Sequence, residues 1–328
     1  MPLERYLRIL RRRSLPGFLR LKRIPVEVTL FDIKNWETLK KAHNEALGTE
    51  RCTEEVHPNL LDLKVHMGKV ALERCELCHW RCGARRMDGE QGFCGVKESR
   101  VSSFFLHPGE EPPLVPSLTV FFSGCNFHCV FCQNWDISQR PGVGEYIPPE
   151  EMARIIEKLG RRAKNVNWVG GEPTPNIPYI LEVLSHLSSP LPIIWNSNMY
   201  LTEVSRTLLE GAVDLFLTDF KYFSDDCALR YSKVKNYVEV VKENHLWAEK
   251  EGDVLVRHLL LPGHLKCCTY PLIEWVAENL PSAAMNIMDQ YRPEYRAGEY
   301  PELVRRVTEG EWMKAIEYAR GRGVELLL

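Results

Sequence analysis

From residue 118 onward, short apolar runs alternate with longer segments whose apolar residues have helical spacing. This alternation is typical of repeated β–α units with parallel strands. It predicts six strands, at 118–123, 167–170, 192–197, 214–220, 254–261 and 284–289. It predicts helices at 150–162, 177–187, 202–209, 233–250 and 270–279, with a final helix at 311–320. The expected fold class is therefore α/β, a partial (βα)6 barrel with its helices outside.

In such a barrel the loops at the carboxyl ends of the strands converge on one mouth and carry the reactive groups. Each polar motif of this segment lies at the end of a predicted strand or within one. In chain order they are a cysteine loop at 124–134, the string Gly170-Gly171-Glu172, Asn196-Ser197, Asp219 with Lys221, Arg257, and Gln290-Tyr291. We therefore expect these motifs to form one site.

The cysteine loop contains three thiols, Cys125, Cys129 and Cys132, and no fourth cysteine close by. Thiolates suit zinc and iron–sulfur clusters, and a closed structural site of either kind normally takes four protein ligands. Three ligands indicate a metal centre with one open position. The alternative is a zinc knuckle completed by His128 or by a distant cysteine.

The pattern Cys-x3-Cys-x-aromatic-Cys, with Phe131 as the aromatic residue, resembles the signature of the radical S-adenosylmethionine (SAM) superfamily. The string at 124–138 is similar to the pyruvate formate-lyase activating enzyme branch, and the likeness spans about 118–290. It implies a radical SAM partial barrel with a [4Fe-4S] cluster on Cys125, Cys129 and Cys132. It also implies SAM chelated at the open iron, cleavage to a 5′-deoxyadenosyl radical, hydrogen abstraction, and an electron donor such as flavodoxin or ferredoxin.

Two further motifs match positions that contact SAM in that family. Gly170 and Gly171 let a ligand approach the backbone closely, and Glu172 offers a carboxylate for an ammonium group. The resemblance assigns all three to the SAM amino group, whereas a plain turn is the alternative. Asn196 and Ser197 suit ribose hydroxyls or the methionine carboxylate, and a polar loop cap is their alternative.

Asp219 and Lys221 are two residues apart on a predicted strand and so point to the same face. A surface ion pair is one interpretation, and the resemblance makes Lys221 a candidate ligand of the SAM carboxylate. Arg257 resembles an arginine of the same branch, while its neighbour His258 is equally consistent with a core histidine. Gln290 stands where relatives place a SAM-contacting histidine.

A second group of cysteines, Cys75, Cys78, Cys82 and Cys94, has gaps of two, three and eleven residues. Four thiolates in one short segment satisfy a metal site, and zinc, a single iron or an auxiliary [4Fe-4S] cluster all tolerate them. His79 is an alternative ligand. The segment resembles an N-terminal extension of activating-enzyme-like proteins and precedes the SAM-cluster loop, unlike the ferredoxin-like insertion of many glycyl-radical activases.

The first 115 residues differ from the rest of the chain in pattern. They begin with a basic arm in which Leu3, Tyr6, Leu7 and Leu10 share one helix face. The arm suits docking on an acidic protein or a membrane surface, and the alternative is a helix that packs on the barrel of the same chain with its basic face in solvent. A helix is predicted at 36–47, and a proline-rich bridge follows at 107–116. We predict two domains, an N-terminal basic and cysteine-rich extension at 1–115 and the radical SAM core at 116–328.

The composition argues against some classes of binding partner. A net charge of −2 and a pI near 6.6 argue against a dedicated nucleic-acid binder. No apolar stretch approaches the roughly 18 residues that span a bilayer. Eleven cysteines without a secretory signal indicate reduced thiols and a cytoplasmic protein. Of the remaining four cysteines, Cys52 and Cys227 are expected to be buried or incidental thiols, and Cys267 and Cys268 form a vicinal pair.

Three functions fit these patterns. The resemblance suggests hydrogen abstraction from a glycine of a partner protein, that is, a glycyl-radical activase. A second hypothesis is radical modification of another protein residue, a lipid or a small molecule. The third is an iron–sulfur electron carrier that never cleaves SAM, although such a carrier has no need for the ammonium pocket predicted at Glu172.

Overall fold

The computed structural model describes residues 2–327. A single sheet contains eight strands in the order of the sequence. β1 runs antiparallel to β2, and every later neighbour is parallel. Within the described residues β1 and β8 do not pair, so the sheet is an open barrel. The strands β1 to β8 are Val101–His107, Ser117–Phe122, Asn165–Gly170, Ile193–Ser197, Leu215–Asp219, Asp253–Leu259, Ala284–Met288 and Glu325–Leu326.

Helices surround the sheet. α1 to α12 are Glu4–Leu10, Gly17–Leu21, Trp36–Leu47, Leu60–Ala71, Trp135–Ser138, Pro149–Leu159, Ile177–His186, Glu203–Leu209, Asp225–Ser232, Tyr237–Glu251, Tyr270–Asn279 and Glu309–Gly321. Short 3-10 turns lie at Val28–Asp32, Arg86–Asp88, Gly160–Arg162, Thr174–Asn176, Ala297–Glu299 and Pro301–Leu303, and a π-helical turn at Leu265–Thr269. None of the described helices combines the length and apolar character needed to cross a bilayer.

The predicted α/β partial barrel is confirmed, and its six predicted strands are β2 to β7. The edge strands β1 and β8 were not predicted, nor were α2, α4, α5 and α9. The helix predicted at 233–250 was wrong at its start. Lys233 and Asn236 have φ of 61° and 50°, which no α-helix contains, so α9 ends at Ser232 and α10 begins at Tyr237.

The N-terminal helix α1 fills the barrel at the amino ends of its strands. Leu3 and Tyr6 are buried against Leu215, Leu217 and Leu255. The backbone N–H of Tyr6 also donates to Asp253 Oδ2 at 2.7 Å. The apolar face of the arm therefore packs on its own barrel.

Much of the N-terminal segment shares the main core. Helix α4 packs against α7, where a Cβ on Gly68 would meet Pro178 at 3.1 Å. Gly17 N donates to the buried Asp214 Oδ1 at 2.8 Å, which fixes α2 beside β5. The division at residues 115 and 116 stays a prediction, and β1, from the N-terminal side of it, completes the sheet.

Candidate active site at the carboxyl ends of the strands

A cavity of about 500 Å³ lies at the carboxyl ends of the strands. Every residue predicted for the SAM and cluster site lines it. These residues are Cys125, Cys129, Phe131, Cys132, Gly170, Gly171, Glu172, Asn196, Ser197, Asp219, Lys221, Arg257 and Gln290. Parallel strands bring their loops to one edge, which is why motifs so distant in the sequence meet here.

The cysteine loop leaves β2 through Gly124, whose φ of +84° suits glycine. Each thiol has a neighbouring hydrogen-bonding group. Phe127 N donates to Cys125 Sγ at 3.3 Å, and the sulfurs of Cys129 and Cys132 lie 3.0 and 3.2 Å from serine hydroxyls, those of Ser232 and Ser138 respectively. Burial raises the pKa of Cys129 to about 11, so an electropositive centre must displace its proton.

The spacing of the three sulfurs tests which centre they fit. They do not all lie within 4.8 Å of one another. A single zinc ion, with bonds of about 2.3 Å, would hold its sulfurs less than about 4.6 Å apart. A cluster that presents a separate iron to each thiolate accommodates the wider spacing. The loop therefore fits an iron–sulfur cluster better than a mononuclear ion.

The two glycines after β3 let that loop lie directly on its neighbours. Gly170 has φ of +131°, and a Cβ there would sit 2.1 Å from Phe122 N. A Cβ on Gly171 would sit 2.1 Å from Gly124 O, which belongs to the cysteine loop. Because no side chain separates them, the Gly-Gly loop brings Glu172 against the cysteine loop.

Glu172 is buried and only partly satisfied. Its Oε1 accepts from Ser197 Oγ at 2.6 Å and from the hydroxyl and the N–H of Thr174 at 2.5 and 3.1 Å. Its Oε2 accepts from Asn198 N alone, at 3.0 Å. Burial raises the pKa of Glu172, although these donors oppose the shift. One lone pair of Oε2 remains for a further donor.

Asp219 and Lys221 form an ion pair at the same mouth, with Lys221 Nζ 2.6 Å from Asp219 Oδ2. Burial alone would lower the pKa of Lys221, but the negative charges of Asp219 and Cys129 outweigh burial and raise it. The ammonium group is therefore a permanent cation beside the cysteine loop.

Arg257 lies at the floor of the cavity in a buried ionic network that the sequence patterns missed. Its guanidinium is bidentate to Glu111, at 2.9 and 2.6 Å, and also contacts Glu110. Asn286 donates to Glu111 at 2.8 Å and Asn167 to Glu110 at 3.0 Å. The signal available in the sequence is the adjacent acidic pair Glu110 and Glu111 within the proline-rich bridge.

The segment after β7 contributes Gln290 to the cavity but not the neighbouring Tyr291. Gln290 lies at the exposed rim, where its carbonyl accepts from Gln133 at 3.3 Å. Tyr291 is buried instead, and its hydroxyl donates to Leu303 O at 2.7 Å. His258 is a core histidine, with Nδ1 2.8 Å from Phe220 O.

The four-cysteine segment packs beside the cavity. Trp80 Nε1 donates to Asn126 O at 2.8 Å. The carbonyl oxygen of Cys94 also lies close to Gly124, since a Cβ added to that glycine would be 3.1 Å from it. No three sulfurs among Cys75, Cys78, Cys82 and Cys94 lie within 4.8 Å of one another. Hydrogen bonding to Cys75 lowers the pKa of Cys82 to about 5.

The cysteines outside the two cysteine motifs differ in their surroundings. Cys52 is half-buried in the N-terminal segment and joins no ligand group among the described residues. Cys227 and Cys267, in contrast, lie with His264 in one cluster, with one side-chain donor atom from each within 4.8 Å of the others. Cys227, which the sequence predicts to be incidental, therefore lies beside two other candidate ligand groups, because α9 and the segment after β6 bring the three side chains together.

Residues 119–276 match the family model described as Radical SAM superfamily. The chain is 50% identical over 280 residues to the uncharacterized protein MJ0674 of Methanocaldococcus jannaschii, covering 84% of this chain and 82% of that protein. It is 24% identical over 279 residues to the uncharacterized protein MJ0808 of the same organism, covering 77% of this chain and 78% of that protein.

The solved structures that this chain resembles share less of its sequence. The crystal structure of Streptococcus suis SuiB bound to precursor peptide SuiA has a TM-score of 0.49 and 13% identity. That alignment covers 89% of this chain and 59% of SuiB, so this chain spans less than two thirds of it. Methylornithine synthase gives a TM-score of 0.48 and 13% identity, covering 98% of this chain and 78% of the synthase.

Proposed function

This chain belongs to the radical SAM superfamily, and we propose that it abstracts hydrogen from a substrate at the cavity bounded by Cys125, Cys129 and Cys132. Membership implies SAM cleavage at an iron–sulfur cluster. A reduced cluster held by Cys125, Cys129 and Cys132 would supply the electron that cleaves SAM into methionine and a 5′-deoxyadenosyl radical. The observation that carries the proposal is the meeting of three thiols, the Glu172 carboxylate and the Lys221 ammonium on one cavity.

The cysteine loop would hold three irons and leave the fourth to SAM. Ser232 and Ser138 place hydroxyl groups at hydrogen-bonding distance from two of the sulfurs, and such contacts tune the reduction potential of a cluster. Phe131 packs edge-to-face on Tyr222 and Tyr291, which holds the loop in place. These residues would set both the position of the cluster and its reduction potential.

Opposite charges across the mouth suit the amino-acid end of SAM. The free lone pair of Glu172 Oε2 would accept from the ammonium, and Lys221 would face the carboxylate. Asn196 lines the cavity and has no side-chain hydrogen bond within residues 2–327, so it would bind the ribose or the carboxylate. Ser197 donates to Glu172 and is a positioning residue.

We propose a glycine of a partner protein as the substrate, with flavodoxin or ferredoxin as the electron donor in the cytoplasm. A cavity of about 500 Å³ is within the roughly 300–1,000 Å³ typical of small-ligand sites. SAM would fill much of it, and a loop without a side chain at its tip fits the remainder. This would make the protein a glycyl-radical activase.

The floor of the cavity favours a second candidate, a small polar substrate. Arg257, Glu110 and Glu111 present buried charges to the barrel interior. Charged groups held rigidly at such a depth suit hydrogen bonding to a compact polar molecule better than contact with an apolar one.

For the four-cysteine segment we propose an auxiliary [4Fe-4S] cluster held by Cys75, Cys78, Cys82 and Cys94. The spacing of the sulfurs suits separate irons more than one zinc ion. Its contact with the cysteine loop would allow electron transfer. A variant with Cys125, Cys129 and Cys132 changed to alanine should still bind iron, and iron-free protein would defeat this assignment.

The decisive experiment is anaerobic reconstitution and reduction with SAM present. Wild type should produce methionine and 5′-deoxyadenosine, Cys129→Ala neither, and Cys52→Ala as much as wild type. Equal yields from wild type and Cys129→Ala would remove the proposal. Adding size-fractionated extract from cells grown in deuterated medium separates the substrates, because label should enter 5′-deoxyadenosine from the macromolecular fraction if a protein is the substrate and from the small-molecule fraction otherwise.

A further inference from the structure

A cysteine and histidine cluster lies outside the cavity. Cys227 is in the first turn of α9, after β5, while His264 and Cys267 follow β6. Each side chain places one donor atom within 4.8 Å of the other two. None of these three residues contributes to the lining of the cavity at the carboxyl ends of the strands. The cluster is therefore a separate feature of the molecule.

The histidine ring is oriented as in a metal ligand. His264 Nδ1 lies 2.8 Å from Pro262 O, so it donates its proton to that carbonyl. Tyr231 Oη is 3.3 Å from Nε2 but donates its own hydrogen to Glu302 at 2.6 Å. When the ring is neutral, as metal binding requires, Nε2 has a lone pair that the tyrosine does not satisfy. Metal-bound histidines typically donate their other N–H in this way, commonly to a backbone carbonyl.

The backbone around the cluster is irregular. Gly263 turns with φ of +78°, and Leu265–Thr269 forms a π-helical turn that carries Cys267. Such turns occur frequently at functional sites. Opposite them, Ser224 caps α9 by accepting from Cys227 N. The first turn of α9 and the segment after β6 thus present their ligand atoms to a common point.

We infer that Cys227, His264 and Cys267 bind one Zn²⁺ ion, through two thiolates and Nε2. This donor set is one that zinc prefers, and bonds of about 2.3 Å to sulfur and 2.0 Å to nitrogen require only a small contraction of the cluster. Each thiol that binds releases its proton to solvent. Cys267 is exposed, so the fourth position faces water or an added ligand.

The ion would join the loops after β5 and β6. Helix α9 carries Cys227 at one end and Ser232 at the other, and Ser232 contacts Cys129. Zinc binding at one end would therefore restrain the helix that supports the cysteine loop. This inference does not depend on the substrate or on SAM cleavage.

The test uses the full chain with its iron–sulfur sites reconstituted anaerobically, then exposed to Zn²⁺ and passed over a chelating resin. Wild type should retain zinc. The double variant Cys227→Ser/Cys267→Ser should retain less than about a tenth as much zinc, and its iron content should equal that of wild type. Cys52→Ser should match wild type. X-ray absorption at the zinc edge should show two sulfur ligands at about 2.3 Å with nitrogen or oxygen for the rest.

The single variant Cys267→Ser guards against misfolding, because this side chain is exposed. It should keep the iron content and the circular dichroism of wild type, lose one sulfur from the zinc spectrum, and bind zinc about a hundredfold more weakly. Equal zinc retention by wild type and the double variant, a zinc spectrum without sulfur, or a Cys227–Cys267 disulfide in the anaerobic protein would each overturn the assignment.

Discussion

The hydroxyl oxygen of Ser232 lies 3.0 Å from the sulfur of Cys129. The same hydroxyl is 2.7 Å from that of Tyr222, which can donate to it and leave its own hydrogen for the sulfur. A side chain 103 residues away from the cysteine loop thus helps to determine its electrostatics.

Replacing Ser232 with alanine should make the cluster harder to reduce. A hydrogen bond of about 1 kcal/mol to the sulfur corresponds to about 40 mV for one electron. We expect Ser232→Ala to lower the midpoint potential by that amount in a redox titration followed by electron paramagnetic resonance. Ser185→Ala removes a hydroxyl that bonds Glu182 O and should leave the potential unchanged. An unshifted potential in Ser232→Ala would contradict this role.

Glu172→Gln should weaken SAM binding without loss of iron. Glutamine keeps the shape but not the charge, and a hydrogen bond to a charged group contributes about 1.5–3 kcal/mol, or roughly 10- to 150-fold in affinity. Burial raises the pKa of Glu172, so wild-type affinity should also fall on mild acidification. Equilibrium binding measures both effects. Glu182→Gln changes a carboxylate paired with Lys69 and serves as control, so equal losses in the two variants would refute the assignment.

Arg257→Met should destabilise the fold by about 3–5 kcal/mol at neutral pH, because it leaves buried carboxylates without a partner. The side chains of Arg257 and Glu111 are only 13% and 1% exposed. Arg322→Met breaks an exposed, solvent-screened pair with Glu274 and should lower the free energy of unfolding far less than Arg257→Met does. Anaerobic chemical denaturation measures both variants.

The loss in Arg257→Met should depend on pH. Burial alone would raise the pKa of Glu111, but Arg257 outweighs burial and lowers it, so wild-type stability from this group is present at neutral pH and lost on acidification. Without Arg257, burial would raise the pKa of Glu111, so its carboxyl group would become protonated at a higher pH than in wild type. The gap between wild type and variant should therefore narrow as the pH falls from about 7 to about 4, and a constant gap would argue against the pairing.

Gly17→Ala should destabilise the protein by about 1–3 kcal/mol, since a Cβ there would lie 2.1 Å from Gly211 O and would disturb the bond to Asp214. Gly310 is the matched control: nothing lies within 4 Å of a Cβ at that position, and alanine favours a helix. Thermal unfolding should show a lower midpoint for Gly17→Ala and an equal or higher one for Gly310→Ala. Equal midpoints would show that α2 does not dock closely on the barrel.

Local patterns sufficed for the barrel strands and for the meeting of their end motifs. Alternating apolar runs specify parallel strands, and parallel strands bring Cys125, Glu172 and Lys221 to one edge whatever the details of packing. The same reasoning failed at Lys233, because a positive φ leaves no signal in apolar spacing. It also left β1 and β8 unpredicted, since pairing at a sheet edge depends on the neighbouring strand.

Contacts between distant residues were decided by the tertiary structure alone. Arg257 meets Glu111 across 146 residues, and Cys227 meets His264 and Cys267 from different loops. Such contacts depend on strand register and on how each loop folds back, and no residue within one helical or strand period records them. The sequence by itself determined which chemical groups reach the mouth of the barrel. Only the packed chain decided which of them are already paired and which remain available to a ligand.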